Sequence, residues 1–454
     1  MLVVAARLSS VAHHFIQRRF VRDTLILQAG QFMIILVQGL TNILLLRVLG
    51  PERVGVYTLI VTVTAVLGLL DLSASGRVAL VEISKALGSD NRNEVLDNLA
   101  YFIRINLTIN GILVIGFFLL VPWLSQIIYN RSEIGIWARW LALLQLTELP
   151  YAILTLSYQC QRQMQTLVVV ETVRLIVSST VSIAVLLLGW GVPGLILSQV
   201  GISCIYAVYS VYAYARLVKA DPRFPHWREL LARAKSVSLR SRLGLGLRIS
   251  ADKNLASFAV QLPILMMGRL IPAASLGYFS TALKVITLPQ PLISGIARNL
   301  DTFLPHRAGQ STGSLRYAFI RSTLLTGLLW SIITIGLAIV GPIMILVFFG
   351  FSYTPAIPLL YPLLLQSLAV GLGVGIGSAA RSMDKVGIMV IFKLMIFPFF
   401  VAIGYLLINQ WGAYGGSWFY SLWYILTTTS SLAMLVWWLF RSKKATDFQA
   451  NYGN

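Results

Sequence analysis

Residues 24–75 read TLILQAGQFMIILVQGLTNILLLRVLGPERVGVYTLIVTVTAVLGLLDLSAS, two apolar runs hinged at Leu49-Gly50-Pro51-Glu52. Each run is about 20 residues long, the length a helix needs to cross hydrocarbon. Neither alternates polar and apolar positions as a barrel strand does. Proline halts the first helix and is well placed to start the second. Composition extends this reading to the whole chain: of 454 residues, 57% are hydrophobic and 11% charged. No soluble core hides that much apolar surface, and a backbone in lipid must satisfy its own hydrogen bonds, which leaves helices.

The same pattern predicts twelve spans, at 24–47, 54–75, 99–121, 136–157, 166–188, 193–215, 249–270, 277–297, 317–340, 356–379, 387–408 and 414–440. One set of connections carries about 26 basic residues, from Arg7 and Arg18 in the tail to Arg441, Lys443 and Lys444. The other set has about four, Arg47, Arg53, Arg131 and Arg269. The basic side is cytoplasmic by the positive-inside rule, with both termini inside. The net charge of +20 is then topology, and no nucleic-acid partner is expected. Residues 1–23 read as an amphipathic interfacial tail rather than a cleaved signal peptide, and 441–454 as a cytoplasmic tail. In the basic linker 216–248, Trp227, Leu230, Leu231 and Ala234 recur at helical spacing. That segment is either a helix on the inner leaflet or a solvated connector.

Self-similarity divides the rest into bundles 24–215 and 249–440. Pro122 is matched by Pro342, Leu143-Leu144-Gln145 by Leu364-Leu365-Gln366, and Arg162-Gln163-Met164 by Arg381-Ser382-Met383. Trp190-Gly191 is matched by Trp411-Gly412, Arg174 by Lys393, and PERVGVY at 51–57 by PAASLGYF at 272–279 with one residue inserted. All the offsets fall between about 219 and 222 residues. Six spans per repeat is an even number, so the halves share one orientation. The expected fold is all-α and integral to the membrane, with two parallel six-helix repeats around a central cavity.

The chain resembles the polysaccharide transporter and O-antigen flippase branch of the multidrug/oligosaccharidyl-lipid/polysaccharide exporter superfamily. Three stretches carry the resemblance: NILLLRVLGPERVGVY at 42–57, GYFSTALKVITL at 277–288, and Pro305 after the stretch Arg298 to Leu304. It implies a V-shaped pair of six-helix bundles in a bacterial inner membrane. It also implies that the protein flips a polyprenyl-pyrophosphate-linked oligosaccharide to the outer leaflet by alternating access. Membrane lipids, a polysaccharide polymerase and glycosyltransferases are the partners such a role implies, with no cofactor. The peptidoglycan-precursor flippase, a relative in chemistry, carries two further spans that this sequence lacks.

Intramembrane charges are the candidate site. Lys284 and Lys393 have no acid three or four residues away. They either line a cavity for the anionic head or meet an acid on another helix. Arg174 has Glu171 one turn before it, a local pair as well as a cavity candidate. Arg139 either snorkels or faces the outer vestibule. Arg47 and Arg269, repeat mates before the outer turns, form an exit rim or anchor to lipid phosphate. Coupling to a proton or sodium draws on Glu148, Asp71 or Asp252, with Glu171 and Asp301 also near spans. Glu148 stands out because Pro150 follows it. A multidrug exporter of the same superfamily is the competing transporter, but it would want acids in its cavity. A polysaccharide polymerase or ligase would need a catalytic constellation. Four dispersed histidines and two cysteines, Cys160 and Cys204, make neither that nor a metal site. Pro263, Pro289, Pro291 and Pro398 interrupt spans, and Gly371 to Gly377 predict close helix packing rather than a nucleotide loop.

Overall fold

The computed structural model describes the backbone of residues 2–69, 75–161, 163–238, 240–383 and 385–452. Within these, side chains are described from 32 to 440, apart from 77, 81, 240–253 and scattered positions between 291 and 312. Asp71 and the side chain of Asp252 therefore lie outside the described residues.

Every regular element among the described residues is helical. The helices are α1 (Leu2–Leu69), α2 (Ser75–Gly88), α3 (Arg92–Ile105), α4 (Gly111–Tyr129), α5 (Ser132–Ala142), α6 (Leu144–Thr147) and α7 (Leu149–Cys160). They continue with α8 (Met164–Leu187), α9 (Gly191–Ala220), α10 (Trp227–Ser236), α11 (Arg240–Leu270), α12 (Ala273–Thr287) and α13 (Gln290–Gln310). The last are α14 (Thr312–Met344), α15 (Ile357–Gly373), α16 (Ile376–Ser382) and α17 (Val386–Tyr452). Eight continuous stretches are long and apolar enough to cross a bilayer. Two of them are double spans, α1 breaking at Gly50 (φ 72°) and α17 at Gly412 (φ 56°). Only glycine takes such a backbone cheaply, so each break replaces a loop. Helix α11 and the pair α12–α13, split at Pro289, occupy the two remaining expected positions.

The surface is inverted relative to a soluble protein. On α14, Leu324, Leu328, Ile332, Ile335, Ile339 and Ile343 are all 57–66% exposed along one helical face. A continuous apolar stripe of that length belongs against acyl chains. Polar groups turn inward instead. Trp330 Nε1 donates to Ser367 at 3.0 Å, and Thr334 meets the same hydroxyl at 3.0 Å. Trp330 lies across Gly371, where no Cβ would fit, so that glycine serves close packing as expected. The repeat is visible in the backbone too. Positive φ recurs at Asn130 and Gly350, and at Gly191 and Gly412, close to the sequence offset.

Contacts divide the chain into two compact units. Unit 1 comprises residues up to 45, 67–126 and 131–251; unit 2 comprises 46–66, 127–130 and the chain from 252 onward. In unit 1, α10 lies within the linker expected at 216–248 and docks on α3. Leu230 and Ala234 join a core with Leu99, Ile103 and Tyr214. Arg233 pairs with Asp97 at 2.5 Å and Arg92 with Glu229 at 2.6 Å.

In unit 2, the second limb of α1, residues 51–66, packs along α12 through a reciprocal contact. A Cβ on Gly55 would strike the carbonyl oxygen of Ala273, and a Cβ on Gly277 would strike that of Pro51. Thr58 Oγ1 donates to Ser280 Oγ at 3.0 Å. The groups that exchange these contacts are repeat mates: Gly55 and Gly277, Pro51 and Ala273, and Thr58 and Ser280 are each 222 residues apart. The two helices are thus repeat mates in self-complementary contact, which is why residues 46–66 pack with unit 2. We predict that Gly55→Ala and Gly277→Ala each lower stability in detergent by about 1–3 kcal/mol through overpacking. Gly116→Ala, with open space around its Cβ, should not. Thermal unfolding of the three variants checks this.

Candidate functional site

Lys284 stands on α12, four residues past Ser280 and seven past Gly277, on the face that meets residues 51–66. Helical rise puts it about 6 Å beyond the Thr58–Ser280 bond and about 16 Å from the start of α12. It stands in the last turn of α12, three residues before Thr287, and the chain continues past Pro289 into α13. The residue is half-buried, and no ion pair joins it to a carboxylate among the described residues. Its repeat mate by the same offset is Thr62, which is buried. One lysine thus breaks the symmetry of an otherwise small and hydroxylic seam.

Lys393 lies on the first limb of α17, in the wall between two cavities of unit 2. The larger, about 430 Å³, is shared with Ser257, Gln261, Tyr424 and Thr427. The smaller, about 210 Å³, adds Arg381, Thr428 and Ser431. Basic, hydroxyl and amide groups share these hollows with apolar side chains such as Val260, Trp423, Ile376 and Met389, and no carboxylate lines them among the described residues. Arg381 is paired outside them to Asp301 at 2.6 Å, an exposed contact.

Unit 1 gathers a different set. Arg174 Nη2 pairs with Glu148 Oε1 at 2.5 Å, joining α8 to the kink between α6 and α7. The guanidinium lies 4.2 Å from the centroid of Tyr151 and 5.8 Å from that of Tyr206. Those two rings meet edge to face at 6.3 Å. The site expected for Arg174 and the acid expected for coupling are therefore one cluster. The kink itself follows from Pro150, which opens the ladder where the chain passes through Glu148. Arg139 is held elsewhere, against Phe118 at 5.2 Å and Trp140 at 6.0 Å. Its Nε is buried without a hydrogen-bond partner among the described residues.

The two expected rim residues differ from one another. Arg47 Nε donates to Phe348 O at 2.6 Å and its Nη2 to Val347 O. These carbonyls close the π-helical turn Ile345–Phe349 that ends α14, so Arg47 caps a helix C-terminus. Tyr353 reinforces the junction by donating to Leu46 O at 2.7 Å. Arg269 is exposed. Spacing alone did not single out Tyr151, Tyr206, Thr58 or Ser280. The PERVGVY and PAASLGYF match already contained Gly55 and Gly277, and extending it by one residue would have reached the hydroxyl pair.

A family model described as "Polysaccharide biosynthesis protein" matches residues 44–358. No curated protein sequence matches the chain. Among solved structures, an inward-facing multidrug resistance MATE family transporter of the MOP superfamily is 14% identical. The match covers 90% of this chain and 95% of that one, with a TM-score of 0.69. A MATE structure in complex with MaL6 is 17% identical over 93% and 97% of the two chains, at TM-score 0.61. A MOP superfamily transporter from Pyrococcus furiosus, described with a binding pocket of reverse polarity, is 16% identical over 91% and 96%, at 0.55. At these identities the likeness is one of fold.

The Glu148–Arg174 contact gives a measurable coupling. In a double-mutant cycle of Glu148→Gln and Arg174→Gln, unfolding should show an interaction of about 1 kcal/mol or more. A cycle of Lys85→Gln with Glu82→Gln, an exposed pair one helical turn apart, should show about 0.5 kcal/mol or less.

Proposed function

The chain belongs to the polysaccharide biosynthesis protein family within the MOP transporter superfamily, and on that premise we propose that it carries a lipid-linked oligosaccharide across the membrane. It is a multi-pass helical membrane transporter; the cargo and direction are our reading. The cargo class is a saccharide on polyprenyl pyrophosphate, moved from the cytoplasmic to the outer leaflet by alternating access. The membrane in this reading is a bacterial inner membrane with both termini inside. A polymerase and glycosyltransferases would act on either side of the step.

The observation that carries the proposal is the sign of the charge within the spans. Lys284 sits on a seam of glycines and hydroxyls, and Lys393 opens on two hollows that no carboxylate lines among the described residues. A pyrophosphate is strongly solvated and cannot enter hydrocarbon unaided. Ammonium and hydroxyl groups replace its water while the polyprenyl tail stays in lipid. Serine, threonine, glutamine and tyrosine beside Lys393 suit the hydroxyls and ring faces of a sugar. A cationic drug would meet repulsion at both lysines, which sets this reading apart from a multidrug exporter despite the shared fold. Coupling to a proton or sodium is assigned to Glu148, the carboxylate tied to the intramembrane cation Arg174.

The test is leaflet accessibility of a polyprenyl-pyrophosphate sugar in vesicles holding the full-length protein. Lys284→Gln and Lys393→Gln should each slow translocation about tenfold or more, the scale of one charge-assisted contact to phosphate. Lys284→Arg should retain most of the rate. Translocation at the wild-type rate in both glutamine variants would remove the proposed head-group site.

A further inference from the structure

Unit 1 contains a cavity that the transport reading does not use. It has a volume of about 670 Å³ and lies between the ends of α7, α8 and α9 on the side bearing the basic linker. Tyr158 and Gln161 come from α7 and the turn after it, Gln163 and Thr166 from the start of α8. Tyr212 and Arg216, one turn apart on α9, form the facing wall. Depth along α9 can be read from its aromatic ends. Trp190, exposed at the far end, precedes Tyr209 and Tyr212 by about 20 residues, or about 30 Å of helix. The cavity therefore sits at the head-group level of the leaflet on the linker side, where an aromatic belt is expected.

Its charges are unevenly satisfied. Asp221 is saturated: Arg223 donates from Nε at 2.9 Å and from Nη2 at 2.8 Å, and Gln161 Nε2 donates at 2.9 Å. These bonds, led by those from Arg223, hold the Asp221 carboxyl below the usual carboxylate range. Asp221 and Arg223 thus cancel each other. Arg216 stays uncompensated, since it makes no ion pair among the described residues and lies 4.7 Å from the Tyr212 ring. Gln161 contributes a second open valence. With its amide nitrogen committed to Asp221, its Oε1 is buried and accepts no hydrogen bond among the described residues. A buried carbonyl of this kind wants a donor, and at this depth lipid hydroxyls supply one.

The geometry points to a binding site for the head of a lipid that bears both a phosphate and free hydroxyls. The phosphate meets Arg216, and a hydroxyl donates to Gln161 Oε1. The ring faces of Tyr158, Tyr209 and Tyr212 flank the glycerol or sugar carbons. A phosphocholine head offers a phosphate whose charge its own ammonium cancels, and it has no hydroxyl to donate to Gln161 Oε1. Bilayer phosphatidylglycerol and a polyprenyl-linked glycan share this chemistry, so the source is left to the experiment. The site involves neither Lys284 nor Lys393 and stands apart from the transport reading.

Native mass spectrometry of the full-length protein, with phosphatidylglycerol, phosphatidylcholine or a polyprenyl-pyrophosphate sugar added in turn, tests it. Retention of phosphatidylglycerol over phosphatidylcholine should fall about tenfold in Arg216→Gln and recover in Arg216→Lys. Lys219→Gln, which removes an exposed charge on α9 outside the cavity, should change it less than about twofold. If only the polyprenyl-linked sugar shows this pattern, the site belongs to the carried lipid rather than to the bilayer, and the head chemistry stands. Retention of either lipid that ignores Arg216→Gln, or that falls equally in Lys219→Gln, overturns the proposal.

Discussion

The contact of Gly55 with Ala273 and of Gly277 with Pro51 is the constraint on which unit 2 depends. Without a hydrophobic drive between helices in lipid, association rests on close van der Waals approach and polar bonds across the interface. Both are present here, in two glycines and the Thr58–Ser280 bond. Because the contact is self-complementary between repeat mates, one solution of the packing problem is used twice. It also determines where Lys284 stands. A lysine on the lipid face of α12 would be a costly accident; on the seam, one turn past a hydroxyl pair, it has polar company.

The same economy appears at the helix ends. Gly50 and Gly412 reverse the chain without a loop, and Arg47 satisfies carbonyls that α14 would otherwise leave bare. Each device answers the same demand, that backbone groups near hydrocarbon find partners within the protein. Arg47 shows how a charge that looks like a ligand contact can be structural. A basic residue before an outer turn is compatible with a rim, an anchor or a cap, and only the position of residues 347–348 distinguishes them. Arg174 shows the complementary case. Its helical neighbour Glu171 is the obvious partner by spacing, and the guanidinium also reaches Glu148, 26 residues away.

Much of the fold was legible because membrane helices write their own length and because the repeat supplies an internal comparison. Positive φ at Gly191 and Gly412 appears at the aligned Trp-Gly pairs, and the split between α12 and α13 falls at Pro289. The close approach at Gly55 and Gly277 was latent in the one-residue insertion between PERVGVY and PAASLGYF. What spacing could not supply was the third dimension. The tyrosines around Arg174, the polar lining around Lys393 and the docking of α10 on α3 come from elements far apart in the chain. Periodicity locates a residue on its own helix, but not the helix it faces.

The central claim is that Lys284 meets water and an anionic head rather than acyl chains. It is tested most directly by Lys284→Cys in a background lacking the two native cysteines, Cys160 and Cys204. A membrane-impermeant maleimide should label that position, and a polyprenyl-pyrophosphate sugar should protect it. Labelling only by a lipid-soluble reagent, or labelling indifferent to the sugar lipid, would contradict the account.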